Sequence, residues 1–439
     1  MATLVQQTET PVAHKASTLS ALRNVNFRLY FVGQLVSNSG TWMQNIAQSY
    51  LVFEITKSEL WLGIVACLGG LPLLILSPIG GVVIERVPRR TLLIVTQTIQ
   101  MMLAFILAAL AFAGAVQVWH IVVLAVLLGI TNVFDMPARQ TIVVEIVGKE
   151  DLRSGIALNS IMNSMGRVLG PAAAGIALIQ FGDAWCFMLN GLSFLAVLGS
   201  LVIMKVPHAI KYLGSSSPIR QMKEGLSYAR RDTMILPLLI LAGIAGFFVL
   251  PLLRLFPAVA DVLLHSPEQA YAALSVAEGT GSVIGGIIVG WMAQRFGQGK
   301  VIAIGVVINA LANMFLALQT NIPPAVIVTL FFGSSMVLLF VSLNTTIQMI
   351  VPDNYRGRVM SLYSLAMLGT TPFGSLAIGA LADAVGIGTA LIINGVCIAV
   401  LGGAVILRWP HLLSYRTKVK DEEIEEIVLP TEVSPAVGD

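Results

Sequence analysis

Long apolar segments dominate this 439-residue sequence, and each has the roughly 20 residues that a helix needs to cross a bilayer. Only 11% of the residues are charged, against about 25% in an average soluble domain. The predicted spans are 27–53, 59–84, 91–114, 118–144, 154–180, 184–204, 234–256, 269–293, 301–320, 324–349, 359–382 and 386–408. These segments predict an all-α membrane protein with twelve transmembrane helices.

Lysine and arginine are unevenly distributed over the segments that connect the predicted spans. If the N-terminus is inside, 22 of the 26 basic residues lie in inner segments and Lys57 alone lies in an outer loop. The other three, Arg139, Arg167 and Arg254, lie within spans. Because basic residues of short loops stay on the cytoplasmic side, this split supports the span count. We expect both termini in the cytoplasm and the chain in a bacterial cytoplasmic (inner) membrane.

The longest connection divides the spans into two sets of six. Residues 218–232 within it form either an amphipathic surface helix, with Leu226 and Tyr228 on its apolar side, or an unstructured linker. The charged C-terminal tail is expected to contain a helix turn followed by disorder. The predicted organisation is an N-terminal tail 1–26, a first half 27–204, a linker 205–233, a second half 234–408 and a tail 409–439.

A basic motif connects the second and third predicted spans, where charges next to hydrocarbon need a partner or a water-facing position. The motif consists of Gly81, Glu85, Arg86, Arg89 and Arg90. Its spacing resembles the signature loop of the major facilitator superfamily, with Glu85 in place of Asp and Pro88 in place of Gly. The resemblance covers nearly the whole chain and implies a transporter of two pseudo-symmetric six-helix halves that needs no cofactor.

This resemblance also implies that the motif clamps the two halves together when the transporter opens outward. Predicted span eleven begins just after Arg358, and the first N–H groups of a helix attract an anion. We therefore expect Glu85 to contact that helix start, and Arg89 or Arg90 to pair with Glu145. In the alternative interpretation the arginines are only a topology signal.

The two halves repeat each other in sequence. Residues 147–175 correspond to residues 351–379 at a constant offset of 204, which aligns Gly170 with Gly374 and Gly175 with Gly379. A degenerate copy of the basic motif follows span eight and consists of Gly290, Gln294, Arg295, Gly297 and Lys300. A repeat at half the chain length is typical of transporters that bind substrate between their halves.

Span five contains a Gly-Pro motif that resembles one associated with exporters of the same superfamily. The motif consists of Gly166, Gly170, Pro171 and Gly175. Such residues permit a bend and close helix packing; in the alternative interpretation they are a packing site without directional meaning. The surrounding stretch, 135–171, resembles the branch that includes enterobactin exporters and related drug-efflux proteins. This narrower resemblance implies a drug or a siderophore-like substrate.

Polar residues recur at helical spacing within several spans. Span one carries Gln34, Asn38, Thr41, Asn45 and Gln48. Span five carries Asn159, Asn163, Arg167 and Gly170, span four carries Thr131, Asp135 and Arg139, and span eight carries Ser275, Glu278 and Ser282. Because polar groups avoid lipid, these faces are predicted to converge on a cavity between the halves. Buried hydrogen bonding between helices is the alternative.

The charges within the spans suggest different roles. Arg167 lies near the predicted midplane and is expected to hold an anionic group of the substrate or a carboxylate. Glu278 is expected to bind and release a proton, because burial disfavours a charged carboxylate. Asp135 and Arg139 form either a structural ion pair or a coupling site. Arg254, placed near the outer end of span seven, is expected to snorkel toward the interface and is assigned no role.

Motifs of other chemistries are absent from the sequence. It contains no ATP-binding P-loop, HExxH or GxSxG motif, so an ATP-driven pump or a hydrolase lacks its parts. Its three cysteines lie in apolar segments, without metal-ligand spacing. We expect a monomeric, proton-coupled exporter of a small molecule, without a metal, an enzyme activity or a nucleic-acid partner. The alternatives are a facilitator or importer of the same fold, or a non-transporting membrane sensor or scaffold.

Overall fold

The computed structural model describes residues 20–148, 151–204 and 218–415. Within these ranges every regular element is a helix, and no strand is present. Much of the expected tails and the linker residues 205–217 lie outside the described residues. Outside the described part lie also the side chains of residues 78–82, 84–85, 153, 218–223 and 353–354.

The first helix group follows a 3-10 turn, Ser20–Arg23. It comprises α1 Val25–Thr56, α2 Glu59–Arg86, α3 Arg89–Phe112, α4 Val118–Val147, α5 Leu152–Phe181 and α6 Asp183–Ile203. The Asn24 side chain accepts hydrogen bonds from the first N–H groups of α1 and so caps this helix. Gly182 separates α5 from α6 with a φ of 84°, a conformation that glycine adopts without strain.

The second helix group follows α7 Pro218–Arg231, the helical form of the 218–232 segment. It comprises α8 Ile235–Ile244, α9 Leu252–Ala258, α10 Pro267–Phe296, α11 Gln298–Leu316, α12 Ile322–Ile350, α13 Asp353–Leu368, α14 Thr371–Val385 and α15 Ile387–Arg408. A short helix, α16 His411–Ser414, ends the described chain.

Ten of the described helices or helix runs are long and apolar enough to cross a membrane. Helices α1 and α5, with 32 and 30 residues, are just as long but are not among the ten. These two carry the polar faces that the sequence places in spans one and five. The prediction of an all-α, multi-pass membrane protein is confirmed for the described residues.

Two of the spans deviate from regular α-helix. Ile235–Leu263 is one continuous run in which π-helical segments, Ala245–Val249 and Val259–Leu263, flank α9. Such π segments are frequent at functional sites. The other deviation is a break between α13 and α14 at residues 369–370.

The two helix groups meet along two long contacts. Within the first group α1 packs against α5 and α6, and within the second α12 packs against α10 and α11. Between the groups, α2 packs against α14 and α5 packs against α10, while α9 contacts both α1 and α2. Small residues permit these contacts: a Cβ added to Gly279 of α10 would lie 2.7 Å from the carbonyl oxygen of Arg167 on α5.

Polar contacts join the two groups at the end of the bundle where α1 turns into α2, here named the α1–α2 end. Lys57 forms an ion pair with Asp261 at 3.0 Å. Ser58 donates a hydrogen bond to Asp383 at 2.7 Å, and Tyr50 of α1 stacks on Tyr271 of α10 with ring centroids 6.5 Å apart. The two helix groups are therefore held together at this end.

Candidate functional site

A polar cavity of about 430 Å³ lies against the inner face of the first helix group. Its walls include six residues that the sequence assigns to a substrate or proton pathway: Asn38, Asn45, Asp135, Arg139, Asn163 and Arg167. The polar faces of α1, α4 and α5 therefore converge on one space. The seventh pathway residue, Glu278, lines a neighbouring cavity.

Asp135 is held by several donors at the wall of this polar cavity. It is 1% exposed and forms an ion pair with Arg139, one turn along α4. Thr96 and Gln97 of α3 donate hydrogen bonds to the same carboxylate oxygen, at 2.9 and 2.8 Å. A buried carboxylate is stable when its oxygens are satisfied in this way. The arrangement fixes the Arg139 guanidinium beside the cavity.

Of the four α1 side chains that carry a buried polar atom without a hydrogen-bond partner among the described residues, three lie at the polar cavity. They are the Tyr30 hydroxyl, the Gln34 side-chain nitrogen and the Asn38 side-chain nitrogen. All three residues line the polar cavity. Because unpaired buried polar groups are costly, these atoms are suited to bind water or a polar molecule in the cavity.

An ion pair across the two helix groups connects Arg167 with Glu278. The Arg167 Nη1 atom on α5 lies 3.9 Å from the Glu278 Oε1 atom on α10, and Ser282 donates a hydrogen bond to this oxygen at 2.9 Å. Arg167 also lies over the Trp42 ring, 5.2 Å from its centroid, in a cation–π contact. Glu278 is buried, whereas the Arg167 side chain is 33% exposed. The pair links the two groups at the edge of the polar cavity.

Two smaller cavities, of about 290 and 220 Å³, lie between the helix groups toward the α1–α2 end. Both are lined by Asn45, Ser49, Arg254 and Thr371. The smaller one also reaches Glu278. Asn45 additionally lines the polar cavity, so it is common to all three spaces.

The prediction that Arg254 snorkels from the end of span seven is wrong. Span seven continues to Leu263, which places Arg254 nine residues before its end. The neighbours Leu252 and Leu255 are fully buried, whereas the Arg254 side chain is exposed to the two small cavities. The sequence does contain a signal, because this arginine lies deep within an apolar run. The prediction ended span seven at residue 256, and Arg254 was therefore assigned to the end of the span.

The first two glycines of the Gly-Pro motif bring α5 close to α1. The backbone of Gly166 lies directly against the Asn38 side chain, and a Cβ at Gly170 would lie 2.7 Å from the carbonyl oxygen of Ser39. Pro171 follows within the helix and lines the 220 Å³ cavity. These residues therefore position Asn38 and shape the cavity walls.

The third glycine of the motif, Gly175, faces the other helix group. A Cβ at this position would lie 2.6 Å from the Cβ of Ala272 on α10. The motif thus contributes to packing within the first group and to the contact between the groups.

The arginines at the start of α3 have different partners. Arg89 is buried and lies 3.3 Å from the Glu145 carboxylate near the end of α4. Arg90 instead donates hydrogen bonds to two carbonyl oxygens at the end of α6, at 2.6 and 2.7 Å. A cation at a helix C-terminus is favoured by the helix dipole. Both contacts lie within the first helix group.

Other parts of the basic motif are only partly described. The side chain of Glu85 lies outside the described part of the chain, so the contact expected of it stays a prediction, and Gly81 lies within α2. Arg86, the last residue of α2, is exposed.

The expected position of Arg358, just before a helix, is wrong. Pro352 ends the preceding connection, and α13 begins at Asp353, so Arg358 lies inside the helix and not at its start. It forms an ion pair with Glu224 of α7 at 3.0 Å and lies over the Tyr355 ring. The N-terminus of this helix therefore lies several residues before Arg358, and the N–H groups of Tyr355 and Arg356 donate to the carbonyl oxygen of Pro352.

Comparison with protein families and curated proteins identifies similar transport proteins. A family model described as "Transmembrane secretion effector" matches residues 16–434. Macrolide efflux protein A of Streptococcus pyogenes is 23% identical over 393 residues, covering 86% of this chain and 95% of that protein. The staphyloferrin A transporter of Staphylococcus aureus is 24% identical, covering 84% and 92%. The multidrug efflux pump Tap of Mycolicibacterium fortuitum is 22% identical, covering 82% and 90%.

Solved structures share the fold at low sequence identity. The nucleoside transporter NupG superposes with a TM-score of 0.67 at 13% identity, covering 89% of this chain and all of that chain. A bacterial homologue of the lysosomal transporter Spinster, in an inward-facing and unoccupied conformation, gives 0.68 at 13% identity and covers 90% and 99%. Both likenesses concern the fold alone.

Proposed function

We propose, from the premise that this chain belongs to the transmembrane secretion effector family of the major facilitator superfamily, that it exports a small molecule by proton-coupled alternating access. The chain is a membrane transporter, as its family and its relatives are. The observation that carries the proposal is the ion pair of Arg167 and Glu278, which joins the two helix groups beside a polar cavity. A change in the charge of Glu278 at this position changes both the binding of the substrate and the arrangement of the two helix groups.

The orientation of the chain follows from the distribution of its basic residues. With both termini in the cytoplasm of a bacterial cell, the α1–α2 end faces outward. The contacts of Lys57 with Asp261 and of Ser58 with Asp383 then close the outer side. In this proposal the structure corresponds to an inward-open state, and export requires the halves 27–204 and 234–408 to rock against each other.

Proton coupling is assigned to Glu278. When its carboxylate is ionised, it attracts Arg167 across the two groups. A proton that enters from the outer side neutralises Glu278 and weakens this attraction. The Arg167 guanidinium can then bind the substrate. Each state of the carboxylate thereby favours a different arrangement of the halves, as a two-state equilibrium requires.

The substrate class is proposed from the relatives. Their names include macrolide efflux, multidrug efflux and staphyloferrin transport. We assign drug-sized or siderophore-like molecules to this chain, which works as a monomer in the bacterial cytoplasmic membrane. The polar cavity and the 220 Å³ cavity are each lined by polar and apolar residues together, as sites for such molecules are.

A transport assay in proteoliposomes tests the proposal. A panel of macrolides, lipophilic drugs and siderophores is offered under an imposed pH gradient, with protein-free liposomes as the control. We expect at least one compound to accumulate against its gradient, and a protonophore to abolish this accumulation. Equilibration that ignores the pH gradient would indicate a facilitator. No movement of any compound would favour the sensor or scaffold alternative.

A further inference from the structure

The charges that line the three cavities are unbalanced. The cavity walls carry three arginines and two carboxylates: Arg139, Arg167, Arg254, Asp135 and Glu278. Both carboxylates already have an arginine partner, Asp135 with Arg139 and Glu278 with Arg167. Within the described part of the chain, no carboxylate forms an ion pair with Arg254. One positive charge is therefore left over, and it faces the space between the helix groups.

The surroundings of Arg254 suit a ligand better than a purely structural cation. An unpaired charge inside a membrane is costly unless it meets water or a counter-charge. Arg254 lines both small cavities together with the neutral hydrogen-bonding groups of Asn45, Ser49 and Thr371. Gln48 and Ser375 also line the larger of the two. A guanidinium with such neighbours can hold a carboxylate through two parallel hydrogen bonds.

We infer that Arg254 binds a carboxylate group of the exported molecule in the two small cavities, an inference that rests on the proposed export function. Their volumes of about 290 and 220 Å³ accommodate a charged group with a few carbon atoms. The larger body of the molecule lies in the polar cavity, which shares the lining residue Asn45 with both small cavities.

This position also connects binding with the movement of the halves. Arg254 belongs to the second helix group, whereas Asn45 and Ser49 belong to the first, and α9 contacts both α1 and α2. A carboxylate held by Arg254 and these side chains bridges the two groups. Arg254 lies in α9 between two π-helical segments, each of which inserts an additional residue into a helical turn.

The inference is tested by binding to the purified protein in detergent, without a proton gradient. The probes are three aromatic carboxylic acids of increasing size, from one ring to a pyrene, each paired with its own methyl ester. Equilibrium dialysis measures the affinity ratio of acid to ester for the wild type, Arg254→Gln and Arg254→Lys. Arg408→Gln is the control, since Arg408 is exposed at the end of α15.

We expect at least one acid to bind the wild type about tenfold more tightly than its ester, because a charge-assisted pair is lost in the ester. The preference should fall below about twofold in Arg254→Gln, stay above about threefold in Arg254→Lys and be unchanged in Arg408→Gln. Ser49→Asp places a carboxylate in the same cavities and should abolish the preference as well. If Arg254→Gln fails to fold, the affinity ratio of acid to ester in Ser49→Asp tests the inference instead.

Equal binding of every acid and ester to the wild type would overturn the inference, as would a preference that both Arg254→Gln and Ser49→Asp retain. The transport assay separates this result from the proposed function. Export without an Arg254-dependent preference for acids rejects the site and keeps the exporter. An Arg254-dependent preference without transport of any compound keeps the site and rejects the exporter.

Discussion

Gly175 on α5 and Gly379 on α14 are 204 residues apart and occupy equivalent crossings between the two helix groups. A Cβ on Gly175 would lie 2.6 Å from the Cβ of Ala272 on α10. A Cβ on Gly379 would lie 2.6 Å from the carbonyl oxygen of Glu59 and 3.2 Å from the Cα of Gly63, both on α2. The sequence repeat of the two halves thus places one small residue at each contact that closes the α1–α2 end.

Replacing either glycine with leucine should open this end. Gly175→Leu and Gly379→Leu force a side chain into a close helix crossing, and overpacking of this kind costs about 1–3 kcal/mol. Because about 1.4 kcal/mol changes an equilibrium tenfold, the closed arrangement should lose most of its population. Spin labels on Ala115, between α3 and α4, and on Thr320, between α11 and α12, should report a longer distance across this end.

Gly199 and Gly403 provide a matched control for this experiment. They are also 204 residues apart, and no atom lies within 4 Å of a Cβ added to either. Their leucine variants should keep the wild-type distance distribution. If Gly175→Leu also leaves the distance distribution unchanged, the crossing of α5 and α10 at Gly175 does not determine whether the α1–α2 end is closed.

Glu278→Gln should separate substrate binding from proton-driven transport. The glutamine keeps the shape of the side chain and its contact with Ser282, but it cannot exchange a proton or attract Arg167. We expect accumulation under a pH gradient to fall at least about tenfold while binding in detergent is retained. Glu54→Gln, which removes an exposed carboxylate from α1, is the control. Wild-type pumping by Glu278→Gln would assign the proton to another group.

Arg167→Ala should weaken transport far more than it weakens membrane insertion. The variant removes both the ion pair with Glu278 and the cation–π contact with Trp42. In a double-mutant cycle with Glu278→Gln, the two losses should be less than additive, because the residues share one interaction. Initial export rates in proteoliposomes measure the cycle, and fully additive effects would show that the pair is not functional.

Asp135→Asn decides between a structural ion pair and a coupling site. It leaves Arg139, whose side chain is 21% exposed, without its counter-ion, and breaking a pair with a buried carboxylate costs up to about 3–5 kcal/mol. We expect a lower melting temperature in detergent and recovery of most of the loss in the double variant Asp135→Asn with Arg139→Gln. Unchanged stability together with loss of proton coupling would instead make Asp135 a coupling residue.

Span lengths and basic loops predict most of this architecture because both reflect the bilayer directly. The cavity faces were also predictable, since a polar stripe such as Asn38 and Asn45 on α1 has few favourable positions except a wet interior. The partner of Arg89 was predictable as well, because Glu145 lies near the end of α4 beside the start of α3.

The features that sequence reasoning missed depend on tertiary structure. Arg254 was misplaced because π-helical segments extend span seven, and hydropathy does not distinguish π-helix from α-helix. Arg358 was misplaced because α13 begins in a polar stretch that resembles a loop. That stretch is helical against α7, where Tyr228 stacks on Tyr355 with ring centroids 4.5 Å apart. A contact between distant segments of this kind leaves no local signal.

The final prediction concerns Glu85, whose proposed role is to hold the inner ends of the two halves together in the outward-open state. Its partner would be the N-terminus of α13, which begins at Asp353, because the positive end of a helix dipole attracts an anion. Glu85→Gln keeps the number of basic residues and therefore the topology signal. The variant should insert normally but favour the inward-open state, since exposed pairs contribute up to about 1 kcal/mol each. Labels on Ala115 and Thr320 should then move closer together, and Glu54→Gln should not change their distance. An unchanged distance in Glu85→Gln, together with normal transport, would leave the arginines of this motif as a topology signal alone.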